Sequence, residues 1–329
     1  MRDLDKDEEI YMIHFGILTP QQGLDYQKIR TLWKESERRG FTSAWLVDHF
    51  IPYDAPITPM NAPVLECWTT LAALSRETEK LRFGPLVTCN LYRYPSVLAK
   101  MSSTLDVISK GRLEFGIGAG WLESECIQYG IPFPKISTRM EQLREAIQVI
   151  KCMWVESEAN FSGKYYTIKN AVNYPKPLQK PHPRIWIGAE GDKMLRIAAE
   201  FADVWNFPSD IHFYSTEEYK RKVQLFNSYC QGYGRKTDKI VKSWLGIALI
   251  AKNERELCKK IKQFKPENIS VSDYMRGIVG TYESCIEKIS ELNKIGATYF
   301  ILVFPEVKIG NIKCLKSFSE NIISYFKAH

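Results

Sequence analysis

Two residues that could transfer a proton follow a short apolar run near residue 45. The run Trp45-Leu46-Val47 has the character of a buried strand, and Asp48 and His49 come directly after it. An imidazole can take the proton of an alcohol as hydride leaves, or return one to a reduced product, and a nearby carboxylate can tune it. Because adjacent strand residues point to opposite faces, Asp48 and His49 are not expected to touch directly. The pattern alone leaves open whether His49 is catalytic or structural.

A glycine-rich run, Gly116-Ile117-Gly118-Ala119-Gly120-Trp121, follows another apolar segment. Residues without side chains let the backbone approach a ligand closely. The run is not a dinucleotide fingerprint, because the third glycine is misplaced for G-x-G-x-x-G, so a Rossmann-type fold is disfavoured. Glu125 lies four residues beyond Trp121, and on a helical turn the two would share a face. A packing tryptophan with a capping carboxylate is the simplest interpretation of that pair.

A third glycine-containing segment, Gly188-Ala189-Glu190-Gly191, precedes a helical pattern that begins near Lys193. Glycines ahead of a helix N-terminus make an anion site lined by backbone amides. In barrels such sites more typically follow strands seven and eight, so a simple turn is equally compatible with the pattern.

The elements that position these segments alternate along the chain. Short apolar, β-branched or aromatic runs are separated by longer stretches of helical period, which predicts βα units around a parallel sheet. Eight runs have strand character: Tyr11–Leu18, Ala44–Val47, Leu81–Thr88, Leu113–Ile117, Arg184–Ile187, Val204–Phe207, Ser243–Ala251 and Tyr299–Val303. Because eight is the barrel number, the predicted fold is an α/β, single (β/α)8 TIM barrel.

Helix ends carry their own signals. Segments Tyr26–Arg39, Val97–Ser109 and Tyr282–Ile295 each end at or shortly before a glycine, as helix C-termini do. Thr281 is a candidate N-cap for the last of these helices, and Ser137 or Thr138 is a candidate start for a helix that runs to about Val155.

No domain linker is visible, so one domain is expected over residues 1–329. Four stretches exceed what a barrel loop needs, at about 50–63, 121–135, 161–183 and 253–280. The third reads as a small hairpin followed by a proline-rich return. Loops after barrel strands form the active-site face, so these insertions are where substrate specificity would be built.

Composition bounds the possible partners. The 45 basic and 38 acidic residues give a formal charge of +7, too mild and dispersed to indicate a nucleic-acid partner without a recognisable motif. The eight cysteines show no zinc-ligand spacing, so no metal site is expected. The charged N-terminus and the lack of a long apolar run argue against a secretory signal or a membrane span, so the expected location is cytoplasmic.

Several segments together resemble the luciferase-like monooxygenase superfamily, and particularly its branch of coenzyme F420-dependent oxidoreductases. The similarity spans nearly the whole chain. The segments that carry it are Trp45–His49, Gly84–Thr88 with Tyr94-Pro95, Leu98–Met101 to Leu105-Asp106, Ser109–Arg112, Gly116–Trp121 with Glu125, Gly130 and Phe133, Ile187–Gly191 with Ala202-Asp203, and Val279–Thr281.

The resemblance implies a TIM barrel that holds the deazaflavin ring against the ends of strands three and four. It further implies a non-prolyl cis peptide near Leu86-Val87 and a histidine, here His49, that faces the reactive carbon of the ring. The cofactor-binding residues it implies are Leu86, Val87, Thr88, Asn90, Gly118, Ala119, Gly120, Trp121 and Glu125 at the ring, and Gly188, Ala189, Glu190, Gly191 and Ser209 at the phosphate-bearing tail.

The substrate is not implied by the resemblance. The sugar-phosphate and alcohol dehydrogenases of this branch look to have a glutamate where this chain has Trp121. Tyr53 and Trp121 are candidate walls of a pocket for a small organic molecule, with aromatic core as the other interpretation.

Two alternatives to the F420-dependent enzyme stay open. One is an FMN-dependent monooxygenase supplied with reduced flavin by a reductase partner, and the other is a non-catalytic flavin-binding barrel. Relatives of this kind are commonly dimers, so a homodimer is expected.

Overall fold

The computed structural model describes residues 12–19, 21–54, 58–209 and 212–328. Its strands are β1 His14–Leu18, β2 Ser43–Leu46, β3 Arg82–Pro85, β4 Thr88–Cys89, β5 Phe115–Gly118, β6 Ala159–Ser162, β7 Thr167–Ala171, β8 Ile185–Gly188, β9 Val204–Pro208, β10 Val241–Ala251, β11 Ile278–Thr281 and β12 Ala297–Val303. Its α-helices are α1 Tyr26–Arg38, α2 Cys67–Leu74, α3 Pro95–Ile108, α4 Glu123–Gln128, α5 Ile136–Val155, α6 Asp192–Phe201, α7 Thr216–Gly232, α8 Glu254–Phe264, α9 Val271–Tyr274, α10 Tyr282–Ile295, α11 Lys313–Phe318 and α12 Ser324–Ala328.

Two compact units are distinguishable, and the first comprises Met1–Thr19, Thr31–Ala44 and Ala189–His329. Its strands pair in the order β1-β12-β10-β9, all parallel. These strands read as continuous apolar runs because a parallel sheet is covered on both faces. Trp205 of β9 stacks on Phe226 of α7 with ring centroids 4.4 Å apart, which fastens that helix to the sheet.

The second unit comprises Pro20–Arg30 and Trp45–Gly188. Strands β4, β5 and β8 are parallel neighbours, and β6 and β7 form an antiparallel hairpin. Its core holds large aromatic side chains, among them Trp45 against Trp186 at 4.4 Å and Phe115 against Trp154 at 4.8 Å. Each such side chain contributes roughly 1.5–3 kcal/mol on burial.

A buried carboxylate lies at the start of β5. Glu114 is fully buried and accepts hydrogen bonds from Arg82, Arg184 and the indole of Trp186. Burial alone would raise its pKa, but the two guanidinium groups lower it from 4.5 to about 2. Glu114 is therefore ionised and paired at neutral pH.

The predicted βα alternation is confirmed, and a strand lies within or close to each of the eight predicted segments. Tyr11, the predicted start of the first strand, lies outside the described residues, as do residues 55–57 of the first insertion. The prediction of one continuous strand over Leu81–Thr88 is wrong, because β3 ends at Pro85 and β4 begins at Thr88. Between them lies the Leu86-Val87 cis peptide, which confirms that prediction. The single domain over residues 1–329 stays a prediction.

The insertion at about 253–280 is more ordered than its loop assignment predicted. It contains α8 and α9 and ends in β11, which pairs with Ala248–Ala251 in the second half of β10. Leu257 of α8, Tyr274 of α9 and Val279 of β11 pack into one apolar cluster. The missed signal was the helical spacing of Leu257, Ile261 and Phe264.

The predicted helices agree with the structure within two residues at each end, and the side chain of Thr281 caps α10 as expected. In the described part of the chain, no helix is both long and apolar enough to cross a membrane.

Candidate active site

The segment that carries His49 is fixed just beyond β2 by a buried side chain. The amide of Gln21 donates to the carbonyl oxygen of Val47 at 2.7 Å and accepts from its N–H at 3.0 Å. Gln21 thereby satisfies both backbone groups of Val47, in the way that a neighbouring strand would. The imidazole of His49 is 12% exposed, so only its edge is available to a ligand.

The carboxylate of Glu125 is the centre of the hydrogen bonds around His49. One oxygen, Oε2, lies 2.8 Å from His49 Nδ1 and accepts the Tyr92 hydroxyl. The other oxygen accepts the backbone amides of Phe50 and Ile51. A carboxylate beside Nδ1 keeps a proton on that nitrogen, which leaves Nε2 as the nitrogen for other partners.

The charges of this cluster follow from those contacts. Burial opposes ionisation of Glu125, but hydrogen bonds from His49 and Tyr92 lower its pKa below the usual value. Burial, together with the neighbouring Cys89 and Glu125, raises the pKa of Tyr92 well above its usual value. Glu125 is therefore a carboxylate and Tyr92 a neutral donor throughout the physiological range.

Asp48 faces a different set of groups. Its carboxylate accepts from the Thr88 hydroxyl, from the Cys89 amide at 3.1 Å and from both terminal nitrogens of Arg93. Arg93 also contacts Glu66, and although burial opposes it, the two carboxylates raise the pKa of Arg93. Asp48 thus supports β4, and the hydrogen bond of His49 goes to Glu125 instead. The two neighbours have separate partners, which agrees with the expectation that they do not touch directly.

The two candidate pocket aromatics flank the imidazole. The ring of His49 lies 4.7 Å from that of Tyr53 and 5.5 Å from that of Trp121, and Trp121 is 59% exposed. The expectation that Trp121 and Glu125 share a helix face is wrong, because α4 begins only at Glu123. Trp121 is exposed and is therefore not a core packing residue. Trp121 precedes α4 and Glu125 lies within it, and both side chains contact His49.

The glycine run serves packing within the chain. A Cβ at Gly116 would lie 2.0 Å from the Pro85 carbonyl oxygen, and one at Gly118 would lie 2.8 Å from a methyl group of Val87. Gly120 has φ of +79°, a conformation that favours glycine. Gly116 and Gly118 leave room for Pro85 and Val87, and Gly120 leaves room for Cys89 and Leu91. From the sequence, the run had been interpreted only as a place where a ligand could approach the backbone closely.

Asn90 presents a buried group without a partner. Its side-chain amide donates to the Tyr166 hydroxyl at 3.3 Å, while its buried oxygen has no hydrogen bond from the residues that the structure describes. Tyr166 is itself held, since Glu145 of α5 accepts its amide and those of Lys164 and Tyr165. An unsatisfied buried oxygen costs about 1–3 kcal/mol, so a ligand N–H or O–H here would be stabilising.

The residues expected at a phosphate-bearing tail lie in both units. Gly188 ends β8 of the second unit, and the other four belong to the first unit. There Tyr214 connects two of them, because its hydroxyl donates to Glu190 and its amide donates to Ser209 Oγ at 3.1 Å. Ala189 is buried. Gly191 is the N-cap of α6 and provides no side-chain cap, so backbone amides of the first turn are not satisfied by a capping side chain.

Several residues of this site were not predicted. Gln21, Tyr92, Arg93 and Tyr166 have no local signal of function, because the side-chain hydrogen bonds that place them in the site reach Val47, Glu125, Asp48 and Asn90, which are 26 to 76 positions away. Within the described residues, no group of three or more His, Cys, Asp or Glu side chains is arranged to hold a metal ion.

Comparison with known proteins gives the same picture of the fold. The model of the luciferase-like monooxygenase family matches residues 12–269. An F420-dependent glucose-6-phosphate dehydrogenase of Microbacterium testaceum is 34% identical over 171 residues, 51% of this chain and 48% of that protein. The chain therefore matches only about half the length of this curated relative.

Solved structures are similar over nearly the whole chain. An F420-dependent secondary alcohol dehydrogenase in complex with an F420-acetone adduct has a TM-score of 0.79 at 20% identity, covering 94% of this chain and 98% of that one. The coenzyme F420-dependent tetrahydromethanopterin reductase of Methanopyrus kandleri has a TM-score of 0.78 at 22% identity, covering 96% and 99%. This likeness confirms the predicted TIM-barrel class of fold.

Proposed function

The chain belongs to the luciferase-like monooxygenase family, and within that family we propose that it is a coenzyme F420-dependent oxidoreductase. It would transfer hydride between the deazaflavin and a small organic substrate. The relative that matches this chain over about half of its length is named for this coenzyme, which supports the choice of cofactor.

The observation that carries the proposal is the His49–Glu125 pair. A buried, ionised carboxylate holds Nδ1 of the imidazole at 2.8 Å and is itself held by three further donors. An imidazole fixed in this way can exchange a proton at Nε2 without changing its orientation. The arrangement suits a reaction in which one proton moves for every hydride.

The deazaflavin, when bound, accepts or supplies the hydride. In the oxidising direction, His49 Nε2 takes the hydroxyl proton of an alcohol as the carbon loses hydride and the carbonyl forms. In the reducing direction, the same nitrogen returns that proton to the oxygen. The imidazolium is present after His49 takes the proton and before it returns it, and Glu125 stabilises that charge. The Tyr92 hydroxyl holds Glu125 in place.

The residues near β4 fit such a cofactor. The buried Asn90 oxygen lacks a hydrogen bond, and the pyrimidine part of a deazaflavin offers an N–H donor. The Thr88 hydroxyl donates to Asp48 and accepts the indole N–H of Trp68, so it supports the strand. We therefore assign the polar contact with the ring to Asn90, and apolar contact to Leu86 and Val87.

Cofactor titration tests this function. Coenzyme F420 should bind more tightly than FMN when both are titrated into the protein at matched ionic strength and followed by fluorescence. Tighter binding of FMN would instead favour a monooxygenase that receives reduced flavin from a reductase. Binding of FMN without turnover would favour a non-catalytic flavin protein.

Two further proposals are a homodimer, which rests on the family resemblance, and a cytoplasmic location, which rests on the composition of the sequence. Light scattering of the purified protein tests the first, because a monomer at micromolar concentration would contradict it.

A further inference from the structure

Two aromatic rings lie against the imidazole of His49. Tyr53 lies 4.7 Å from the imidazole centroid and Trp121 lies 5.5 Å from it, and the Tyr53 and Trp121 rings meet edge to face at 6.4 Å. The indole is 59% exposed beside an imidazole that is 12% exposed. A large flat apolar surface is thus open next to the group that exchanges the proton.

The charged groups that the structure shows bonded to His49, or to Asp48 beside it in the chain, are a carboxylate and a cation paired with carboxylates. Glu125 is an ionised carboxylate on Nδ1 of His49, and aromatic faces carry negative potential. Arg93, the cation bound to Asp48, places both terminal nitrogens on that carboxylate and one of them also on Glu66. Neither Glu125 nor Arg93 therefore offers a free positive charge to a phosphate placed against His49. An unpaired anion is costly to desolvate.

We propose that the substrate is a neutral, flat carbonyl, imine or enone compound that stacks on Trp121 and Tyr53, and that phosphorylated sugars are poor substrates. This inference rests on the proposed function. For a carbonyl, hydride from the reduced deazaflavin bonds to carbon, the π electrons move to oxygen, and oxygen takes the Nε2 proton of His49. The products are the alcohol and the oxidised deazaflavin. Trp121 and Tyr53 are then the residues that determine specificity.

A pair of probes that differ only in charge tests the inference. 4-Hydroxybenzaldehyde and 4-formylphenyl phosphate share one flat ring and one aldehyde. Reoxidation of reduced coenzyme F420 by each is followed in wild-type protein and in Trp121→Ala, Trp121→Phe and the surface control Tyr233→Ala. Tyr233 is 44% exposed and lies at the end of α7.

The neutral aldehyde should have a kcat/KM at least about tenfold higher than that of the phosphate ester. Trp121→Ala should raise the KM of the neutral probe by about 2–10-fold, as loss of one aromatic contact does, with kcat less affected. Trp121→Phe should restore most of the affinity, and Tyr233→Ala should change nothing. Equal or better use of the phosphate ester, or a KM that ignores Trp121, would overturn the inference.

Cofactor binding separates this inference from the proposed function. Coenzyme F420 affinity is measured in the same samples, and a normal value with the wrong substrate preference refutes the inference alone. If F420 does not bind, the two probes are titrated directly against tryptophan fluorescence. If the neutral probe quenches the fluorescence of the wild type but not that of Trp121→Phe, the result supports stacking of a neutral substrate on Trp121. Stronger quenching by the phosphate ester contradicts the inference.

Discussion

His49 and Glu125 form one unit in the chemistry proposed for this site. The imidazole offers Nε2 to a ligand only because Glu125 occupies Nδ1, and Glu125 stays ionised in a buried place because four donors meet it. Loss of either residue should therefore leave the cofactor bound and remove the proton path.

His49→Ala should lower turnover by about 10²–10⁴-fold, since general acid or base catalysis contributes that much. Coenzyme F420 affinity should stay within a few-fold of wild type. Single-turnover reoxidation of the reduced cofactor by a panel of enones, imines and carbonyl compounds measures the first, and fluorescence titration measures the second. An unchanged rate with a reactive member of the panel would exclude the acid or base role for that reaction.

Glu125→Gln should lower kcat by about 10–100-fold, the usual loss when a group that orients a functional imidazole is removed. The amide cannot stabilise an imidazolium as a carboxylate does. Glu123→Gln is the matched control, because Glu123 is exposed two residues earlier on α4. A variant with full kcat would make Glu125 a purely structural residue.

At the scale of single residues, the sequence pattern identified candidate side chains that follow a predicted strand or a glycine run. His49, Tyr53 and Trp121 are of that kind, and the structure brings them together. It could not find Gln21 or Tyr92, because nothing near them in the chain indicates the buried partner that each one meets. Contacts across many residues depend on the fold, which local pattern does not specify.

At the scale of elements, the chain alternates as its apolar pattern predicted, and the exceptions have physical causes. The strand predicted at Leu81–Thr88 is two short strands because the segment changes its partner. The N–H of Leu86 donates to Leu46 of β2, whereas Thr88 pairs with Ile117 of β5. Strand β11 was missed because it has only two apolar residues, Ile278 and Val279, followed by Gly280, and so short a run is also typical of a loop. Its partner is the second half of an unusually long β10, which length alone did not reveal.

The glycine run makes a stability prediction at this scale. Gly116→Ala should lower the free energy of unfolding by about 1–3 kcal/mol, because its new Cβ would meet the Pro85 carbonyl oxygen at 2.0 Å. Gly188→Ala is the control, since among the described residues its added Cβ would meet only a methyl group of Val87 at 3.9 Å, an ordinary contact, and its φ lies outside the left-handed region. Urea unfolding of both variants measures the difference, and equal midpoints would contradict the packing explanation.

At the scale of the whole molecule, the family and the TIM-barrel fold could be predicted because many motifs occur in order along the chain. The substrate could not be predicted, since the candidate pocket residues Tyr53 and Trp121 lie in insertions whose side chains follow no pattern that indicates a ligand. The proposal for a neutral flat substrate comes from geometry, namely the exposed indole of Trp121 beside an imidazole whose other nitrogen is already bound.

The stability of the molecule in acid should depend on Glu114. Its pKa in the folded protein is about 2, lower than the usual 4.5 of an unfolded chain, so its ionised form stabilises the fold. That contribution is complete above about pH 4.5 and is lost as the pH falls towards 2. Glu114→Gln leaves Arg82 and Arg184 without their carboxylate and should lower the free energy of unfolding at pH 7 by about 3–5 kcal/mol.

The pH dependence separates this effect from a simple packing defect. The stability gap between wild type and Glu114→Gln should be constant from pH 7 to about pH 5 and should narrow below pH 4.5, because wild-type Glu114 then binds a proton more readily in the unfolded chain. Urea unfolding at pH 7, 5, 4 and 3 measures the gap, with the exposed Glu158→Gln as the matched control. A stability gap of the same size at pH 3 and pH 7 would show that the variant acts through altered packing. Only a carboxylate that titrates makes the loss of stability depend on pH.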